Sequence, residues 1–206
     1  AALLKSLGHV QSVVERRNTI PILSNVKLEA SNGKLSLNAT DMDIDIVERV
    51  AAEASDAGAI TAPAHTLYEI VRKLPEGSDV EFDSKDDGGQ MTLRAGRSRF
   101  TLSCLPIEDF PVLDEGVLPH SFTLSADDTR VLIDRTRFAI STEETRYYLN
   151  GIYVHAAQRD GVDVLRAVAT DGHRLASVEV PLPDGAKGMP GVIVPRKTVT
   201  ELRKLI

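Results

Sequence analysis

Three aspartates at alternate positions are the first residues in this chain that could do chemistry. Asp41, Asp43 and Asp45 are separated by apolar residues, so a strand would place all three carboxylates on one face. Clustered carboxylate oxygens bind Mg²⁺, but the same alternation is typical of a half-buried edge strand that faces water. Asp171 and His173 could act as an acid and a base, although no nucleophile motif lies beside them.

Other catalytic and cofactor-binding patterns are missing from the sequence. It contains no GxGxxG motif and no Walker-type phosphate loop, and a single cysteine, Cys104, leaves no Cys/His spacing for zinc. We therefore expect no cofactor and no metal. One alternative stays open: a metal-dependent enzyme of nucleic-acid metabolism that uses the aspartates and the histidine named above.

The composition is that of a globular protein with one large domain or two domains of about 100 residues each. The 206 residues are 42% hydrophobic and 26% charged, which excludes disorder, collagen and coiled coil. No apolar stretch is long enough to span a bilayer, and the single cysteine fits a reducing compartment. The formal net charge of −6 argues against a nucleic-acid binder unless the charge is unevenly distributed.

Three segments of the first half of the chain recur in the second half in the same order. Residues 22–30 match 148–156, LSLNATD at 35–41 matches LRAVATD at 165–171, and residues 61–74 match 193–206. The offset between matching segments grows only from 126 to 132 residues. The pattern predicts two copies of one domain.

Hydrophobic periodicity predicts that each copy combines helices with groups of strands. The predicted helices are 3–16, 63–74, 126–140 and 195–206, and the predicted strands are 26–30, 34–38, 41–50, 80–83, 90–95 and 99–105. A proline-rich segment at 112–120 suggests domains at 1–115 and 120–206. Because the second copy lacks strands after its last helix, we expect this copy to be truncated. We also expect a strand before residue 1 to be missing.

Positive charge is concentrated on the predicted helices. When residues 1–17 are counted for the first of them, the four helices together carry a net charge of +6, which leaves −12 for the rest of the chain. On the last helix, the basic side chains share one face and the apolar side chains share the other. The basic residues are Arg196, Lys197, Arg203 and Lys204, and the matching helix of the first copy carries Arg72 and Lys73. A solvated surface helix would show the same pattern, but the duplication favours contact with phosphates without reading of bases.

Tyr147 and Tyr148 stand out in a chain with only 4% aromatic residues. On a strand, adjacent side chains point to opposite faces, so we expect one ring to pack and the other to be exposed. An exposed tyrosine beside Arg146 would suit a recognition surface, and simple packing is the alternative.

Three separated motifs resemble the bacterial sliding-clamp family, the beta subunit of DNA polymerase III: RYYLNG at 146–151, ATDGHRLA at 169–176 and VPRK at 194–197. NTIPILSNV, LPEG and GRSRFTLSCLP in the first half agree with it, so the resemblance covers the whole chain. It implies an α+β fold of three similar domains per chain, each with two helices packed on antiparallel sheets. Two such chains would close into a ring with helices lining the hole. This sequence would hold the first domain without its first strand and part of the second, with the third domain absent.

The resemblance implies a non-catalytic processivity factor that encircles double-stranded DNA without reading its sequence and tethers the polymerase. The expected partners are the catalytic subunit of DNA polymerase III, the clamp loader and other proteins with clamp-binding linear motifs. We expect a cytoplasmic, nucleoid-associated protein with no membrane partner that is a homodimer when full length. The positions that match DNA-contacting positions of the family are Arg17, Tyr147, Tyr148, Arg196 and Lys197.

The resemblance also implies an apolar pocket for linear motifs and a ring-closing interface. The pocket positions in this sequence are Arg146, Leu149, Thr170, Gly172, His173, Arg174 and Leu175. The leucines would form the floor, the glycine would let a peptide backbone approach, and the arginines would hold the peptide's polar ends. Phe100 and Leu102 alternate on one strand and match the apolar part of the interface.

Overall fold

A computed structural model describes residues 1–16, 19–84, 89–112, 118–143 and 145–206 of the chain. The chain divides into two compact units, Ala1–Asp114 and Glu115–Ile206. Each unit has a hydrophobic core of its own, made from residues of that unit alone. Residues 113–117, inside the segment predicted as a boundary, lie outside the described residues, as does Arg17.

The first unit is a helix, four strands, a helix and three further strands. Its elements are α1 Ala2–Val13, β1 Asn25–Ser31, β2 Lys34–Thr40, β3 Asp45–Ala51, β4 Gly58–Pro63, α2 Ala64–Lys73, β5 Glu81–Ser84, β6 Gln90–Ala95 and β7 Ser98–Ser103. All strand pairs are antiparallel and form one sheet in the order β3-β2-β1-β4 and another in the order β5-β6-β7.

Helical spacing of apolar residues explains how the first core is built. Leu7 and Val10 lie three residues apart on α1, and Leu67 and Val71 lie four apart on α2, so each pair faces one side of its helix. These side chains pack in one core with Leu37 of β2. Side chains of β6 and β7 complete this core. Both helices therefore lie on the same face of the four-stranded sheet.

The second unit repeats the two helices and the four-stranded sheet of the first. Its elements are α3 Ala126–Asp134, β8 Gly151–Arg159, β9 Val162–Thr170, β10 Leu175–Pro181, β11 Val192–Pro195 and α4 Arg196–Leu205. The sheet order β10-β9-β8-β11 is equivalent to β3-β2-β1-β4, and α3 and α4 take the places of α1 and α2. The prediction of a repeated α+β domain with two helices on antiparallel sheets is confirmed.

Several predicted boundaries are wrong in ways that have local causes. The third helix begins after Ser125, whose hydroxyl caps it by accepting from the N–H of Asp128 at 3.0 Å. It ends at Asp134 instead of residue 140. Just beyond that end, the hydroxyl of Thr136 donates to the carbonyl of Leu132 at 2.6 Å, which competes with a further helical turn. The segment continues as a short 3₁₀ turn, Arg137–Ala139.

The second core is open on one side. An apolar cavity of about 200 Å³ is lined by side chains of α3, α4 and the sheet, including Leu132, Leu165 and Val199. In the first unit, Met91 and Leu93 of β6 complete the equivalent core. Within the residues that the structure describes, no helix combines the length and apolar character that crossing a bilayer requires.

Candidate nucleic-acid and peptide sites

The repeated ATD motif forms a turn between the second and third strands of each sheet. In the first unit, Oδ1 of Asp41 accepts from the backbone N–H groups of Asp43 at 3.0 Å and Ile44 at 2.7 Å. The hydroxyl of Thr40 accepts from the N–H of Met42 at 3.1 Å. Met42 has a φ of 80°, so the chain reverses here before β3 begins.

The equivalent turn of the second unit has the same hydrogen bonds. Oδ1 of Asp171 accepts from the N–H groups of His173 and Arg174, both at 3.0 Å. These backbone hydrogen bonds, with a smaller contribution from the Arg174 side chain, lower the pKa of the Asp171 carboxyl to about 2. The hydroxyl of Thr170 accepts from the N–H of Gly172 at 3.1 Å, and Gly172 has a φ of 90°. The shared motif is therefore a carboxylate-capped turn.

The predicted aspartate face does not form. Asp41 and Asp43 belong to the turn, and only Asp45 lies on β3, so the three carboxylates do not share one strand face. Among the described residues, no group of three histidine, cysteine or acidic side chains is arranged to hold a metal ion. The alternative of a metal-dependent enzyme is not supported.

Arg203 and Lys204 of α4 bind acidic side chains. Nε of Arg203 donates to both carboxylate oxygens of Asp134 on α3, at 3.0 and 3.1 Å, and this contact lowers the pKa of Asp134. Nζ of Lys204 lies 2.7 Å from the buried carboxylate of Glu201. Arg196 is exposed at the start of the helix and Lys197 is half-buried. The predicted basic face is thus partly used for contacts within the unit.

The basic residues of α2 lie in its last turn. Arg72 forms an ion pair with Glu69 at 2.7 Å and lies over the ring of Tyr68, with its Cζ 5.9 Å from the ring centroid. Lys73 is exposed. Because cations at a helix C-terminus also interact favourably with the helix dipole, this position alone does not require a phosphate partner.

The two adjacent tyrosines lie on a 3₁₀ turn, Tyr147–Leu149, and not on a strand. Both rings are exposed, at 78% for Tyr147 and 57% for Tyr148, and they meet edge to face with centroids 5.5 Å apart. The prediction that one ring packs and the other is exposed was therefore wrong. Two exposed rings beside Arg146 form a larger aromatic surface than the sequence suggested.

The structure brings most of the predicted pocket residues to one edge of the second unit. Thr170, Gly172, His173 and Arg174 form the turn, and the exposed Leu175 follows it on β10. Nη1 of Arg146 lies 3.3 Å from the position that a Cβ on Gly172 would take. The half-buried Leu149 donates its N–H to the carbonyl of Arg146 at 2.8 Å. Arg146 also forms an ion pair with Glu143 at 3.0 Å.

Phe138 lies beside one of the predicted pocket residues, and the sequence analysis did not single it out. Its side chain is 56% exposed, and the guanidinium carbon of Arg174 lies 5.6 Å from the centre of its ring. A signal was available, because on the wheel of the predicted helix Phe138 falls about 240° from Leu132, away from the core side. This position places an aromatic side chain on the solvent-facing side of the predicted helix.

The two predicted interface residues differ in burial. Leu102 is 6% exposed and belongs to the first core, so its side chain contributes to folding. Phe100, two residues earlier on the edge strand β7, is 36% exposed. Of these two residues, Phe100 is the one that offers an exposed apolar side chain at this edge.

Comparison with known proteins identifies both units. The family model described as the DNA polymerase III beta subunit, N-terminal domain, matches residues 1–114, and the model of the central domain of the same subunit matches residues 123–206. The beta sliding clamp of Caulobacter vibrioides is 59% identical over all 206 residues, which cover 55% of that protein. The beta sliding clamp of Escherichia coli is 41% identical over 99% of this chain and 54% of its own length.

Solved structures agree with the sequence comparison. A crystal structure of the C. crescentus beta sliding clamp superposes with a TM-score of 0.93 at 59% identity, covering 99% of this chain and 54% of that one. The sliding clamp of Bartonella birtlesii, bound to griselimycin, superposes with a TM-score of 0.94 at 54% identity over 98% of this chain and 54% of its own. The chain spans about half the length of these relatives. It belongs to the DNA polymerase III beta subunit family.

Proposed function

We propose that this chain is part of a sliding clamp, a non-catalytic ring that encircles duplex DNA and tethers the replicative DNA polymerase. The observation that carries the proposal is the repeated unit, which twice places a pair of helices on one face of an antiparallel sheet, in a chain of this family. Two chains of the full-length protein would close the ring. In such a ring the helix pairs would face the DNA.

The distribution of charge supports a weak, sequence-independent contact with phosphates. The chain is acidic as a whole, with a net charge of −6, but its helices carry the basic residues Arg196, Lys197 and Lys73. Of these, Arg196 and Lys73 are exposed. We propose that these three residues attract DNA, together with Arg17, Arg72, Tyr147 and Tyr148. Arg203 and Lys204 would contribute less, because each already binds a carboxylate. Topological retention does not need tight contacts, so mobile cations suit a ring that slides.

Reversal of the charge at the first two residues of α4 tests this interface. Arg196→Glu with Lys197→Glu in the full-length protein should reduce retention on DNA at physiological salt. It should also reduce the slope of log K against log salt by about 1.8, because two phosphate contacts are lost. A matched control is Lys34→Glu with Arg49→Glu, which makes the same change in charge on the sheet side. Arg49 is next to Glu48 on β3, and Glu48 contacts α1 through His9 at 2.7 Å, so Arg49 points away from the helices.

The two double variants separate local contact from net charge. The clamp proposal predicts that retention falls for the α4 variant and stays near the wild-type value for the sheet-side variant. Equal losses in both variants would mean that only the total charge matters. Unchanged loading and processivity in the α4 variant would contradict the assigned face.

We also propose that the edge formed by Arg146, Leu149 and the turn at residues 170–174 binds short linear motifs of partner proteins. The DNA polymerase III catalytic subunit and the clamp loader are the proposed partners. Support comes from the exposed apolar side chain of Leu175, which is 66% exposed, beside two arginines that could hold a peptide's polar groups. Gly172, which carries no side chain, leaves room for a peptide backbone next to Arg146.

Phe100 is the residue of this chain that we propose for the ring-closing contact of the homodimer. It is exposed on β7, an edge strand, where both its side chain and the unpaired backbone edge are available to another chain. Leu102 would support it from the core.

A further inference from the structure

Phe138 is an exposed aromatic side chain on a well-anchored segment. It lies in the 3₁₀ turn Arg137–Ala139, between Thr136 and Ala139, which are both 0% exposed. The N–H of Ala139 donates to the carbonyl of Thr136 at 3.0 Å. The exposure of Phe138 is thus fixed by its neighbours, and it presents its ring to the guanidinium of Arg174.

Arg174 is held from two directions at once. Its Nε donates to Oδ2 of Asp171 at 2.9 Å, and its guanidinium lies over the Phe138 ring with Cζ 5.6 Å from the centroid. Its backbone N–H is bound by the same aspartate at 3.0 Å. The two terminal nitrogens make no hydrogen bond to any residue that the structure describes, and the side chain is 58% exposed. The guanidinium is therefore oriented with its fork of terminal donors available.

We propose that Phe138 is a positioning residue for partner binding: its ring and the Asp171 carboxylate hold Arg174 so that the terminal nitrogens meet an oxygen acceptor of the bound peptide. This inference rests on the proposed peptide-binding function of the same edge. The acceptor is either a carboxylate or a main-chain carbonyl. An arginine that is already ordered loses less side-chain entropy on binding, so its hydrogen bonds contribute more to affinity.

Arg146 provides an internal comparison. It is also paired with a carboxylate, Glu143 at 3.0 Å, but that carboxylate is more exposed, at 58% against 22% for Asp171. Arg146 has no aromatic platform among the described residues. The two arginines of the edge thus differ in how firmly they are held, and the inference assigns the fixed donor to Arg174.

A double-mutant cycle in the full-length protein tests the inference, with the DNA polymerase III catalytic subunit of the same organism as the probe. Phe138→Leu should weaken binding by about 2- to 5-fold in the wild-type background, which is the range of an exposed cation–π contact. It should have no effect in an Arg174→Ala background, because Phe138 acts through that arginine. Phe138→Tyr retains a ring and should restore wild-type affinity.

The outcomes separate this inference from the proposed function. If Arg174→Ala weakens binding and Phe138→Leu does not, the peptide edge stands and the positioning role is overturned. Equal losses from Phe138→Leu in both backgrounds would show a role independent of Arg174 and also overturn it. If Arg174→Ala itself has no effect, both Arg174 as the donor and Phe138 as its support are wrong. The salt dependence of binding identifies the acceptor. If the acceptor is a carboxylate, the loss of affinity caused by Arg174→Ala becomes smaller at high salt, and if it is a carbonyl, the loss stays constant.

Discussion

Gly151 is the residue at which β8 meets the end of β11, and its replacement by alanine gives a sharp structural prediction. Gly151 is buried and pairs with Pro195, the last residue before α4. A Cβ at this position would overlap the carbonyl oxygen of Val194 and lie 2.8 Å from Cγ2 of Ile193. Since the overlap is with backbone, a rotamer change cannot relieve it. The strand that leads into α4 would have to move.

The size of the effect follows from that overlap. Overpacking of a well-packed site destabilises a protein by about 1–3 kcal/mol, and contact with backbone places Gly151→Ala at about 2–3 kcal/mol. For a chain of this size, that corresponds to a loss of about 5–10 °C in melting temperature. Gly58→Ala is the control, because Gly58 begins β4, the first unit's equivalent of β11, and its Cβ would meet nothing within 4 Å. It should change stability by no more than about 0.5 kcal/mol.

Hydrogen exchange read segment by segment, together with urea denaturation, is the appropriate assay because the two units need not unfold together. Gly151→Ala should reduce protection over residues 192–205 and leave the first unit unchanged. Equal stability of the two variants, with normal protection of β11 and α4, would refute the argument. The pairing of β8 with β11 would then be looser than the structure shows.

Two further predictions concern the turn at residues 170–174. The pKa of Asp171 is lowered to about 2, so its carboxylate contributes stability that is present above its unfolded-state pKa near 4 and is lost as the pH falls through 2. The stability difference between wild type and Asp171→Asn should therefore be constant above about pH 5 and shrink below pH 4 in urea titrations; a difference that is unchanged down to pH 2 would contradict this. In the full-length protein, His173→Ala with Leu175→Ala should weaken binding of the polymerase catalytic subunit at least about 10-fold in calorimetry, because it removes an exposed apolar anchor. The same change at the equivalent positions, Asp43→Ala with Asp45→Ala, should have no effect, and wild-type affinity in the first variant would remove the pocket assignment.

Periodicity predicted the helices, and the matching segments predicted the repeat, because both features depend on local sequence patterns. The spacing of Leu7 and Val10 on α1, and of Leu67 and Val71 on α2, indicates which side of each helix is buried. The recurrence of each segment in the second half of the chain supported the same assignment. The turn at Asp41 was missed because DMDIDIV alternates like a strand. Its geometry depends instead on the Asp41 carboxylate, which captures two backbone N–H groups and competes with strand pairing.

The parts of the site that sequence could not predict depend on residues far apart in the chain. The helical wheel of α4 gave Arg203 a place on the basic face, but its partner Asp134 lies 69 residues away on α3. Arg174, on the turn before β10, likewise contacts the ring of Phe138, which lies on the 3₁₀ turn after α3. The spacing of charges along one helix does not show which cations a neighbouring element neutralises, and this limits any count of phosphate contacts made from sequence.

The most direct test of the central claim measures whether retention on DNA depends on topology. The full-length protein is loaded by its clamp loader onto nicked circular DNA, and its dissociation is followed before and after the circle is cut. A ring that holds duplex DNA by encircling it should stay on the circle for much longer than on the linear form, and cutting should release it. Equal dissociation rates from circular and linear DNA would contradict the account.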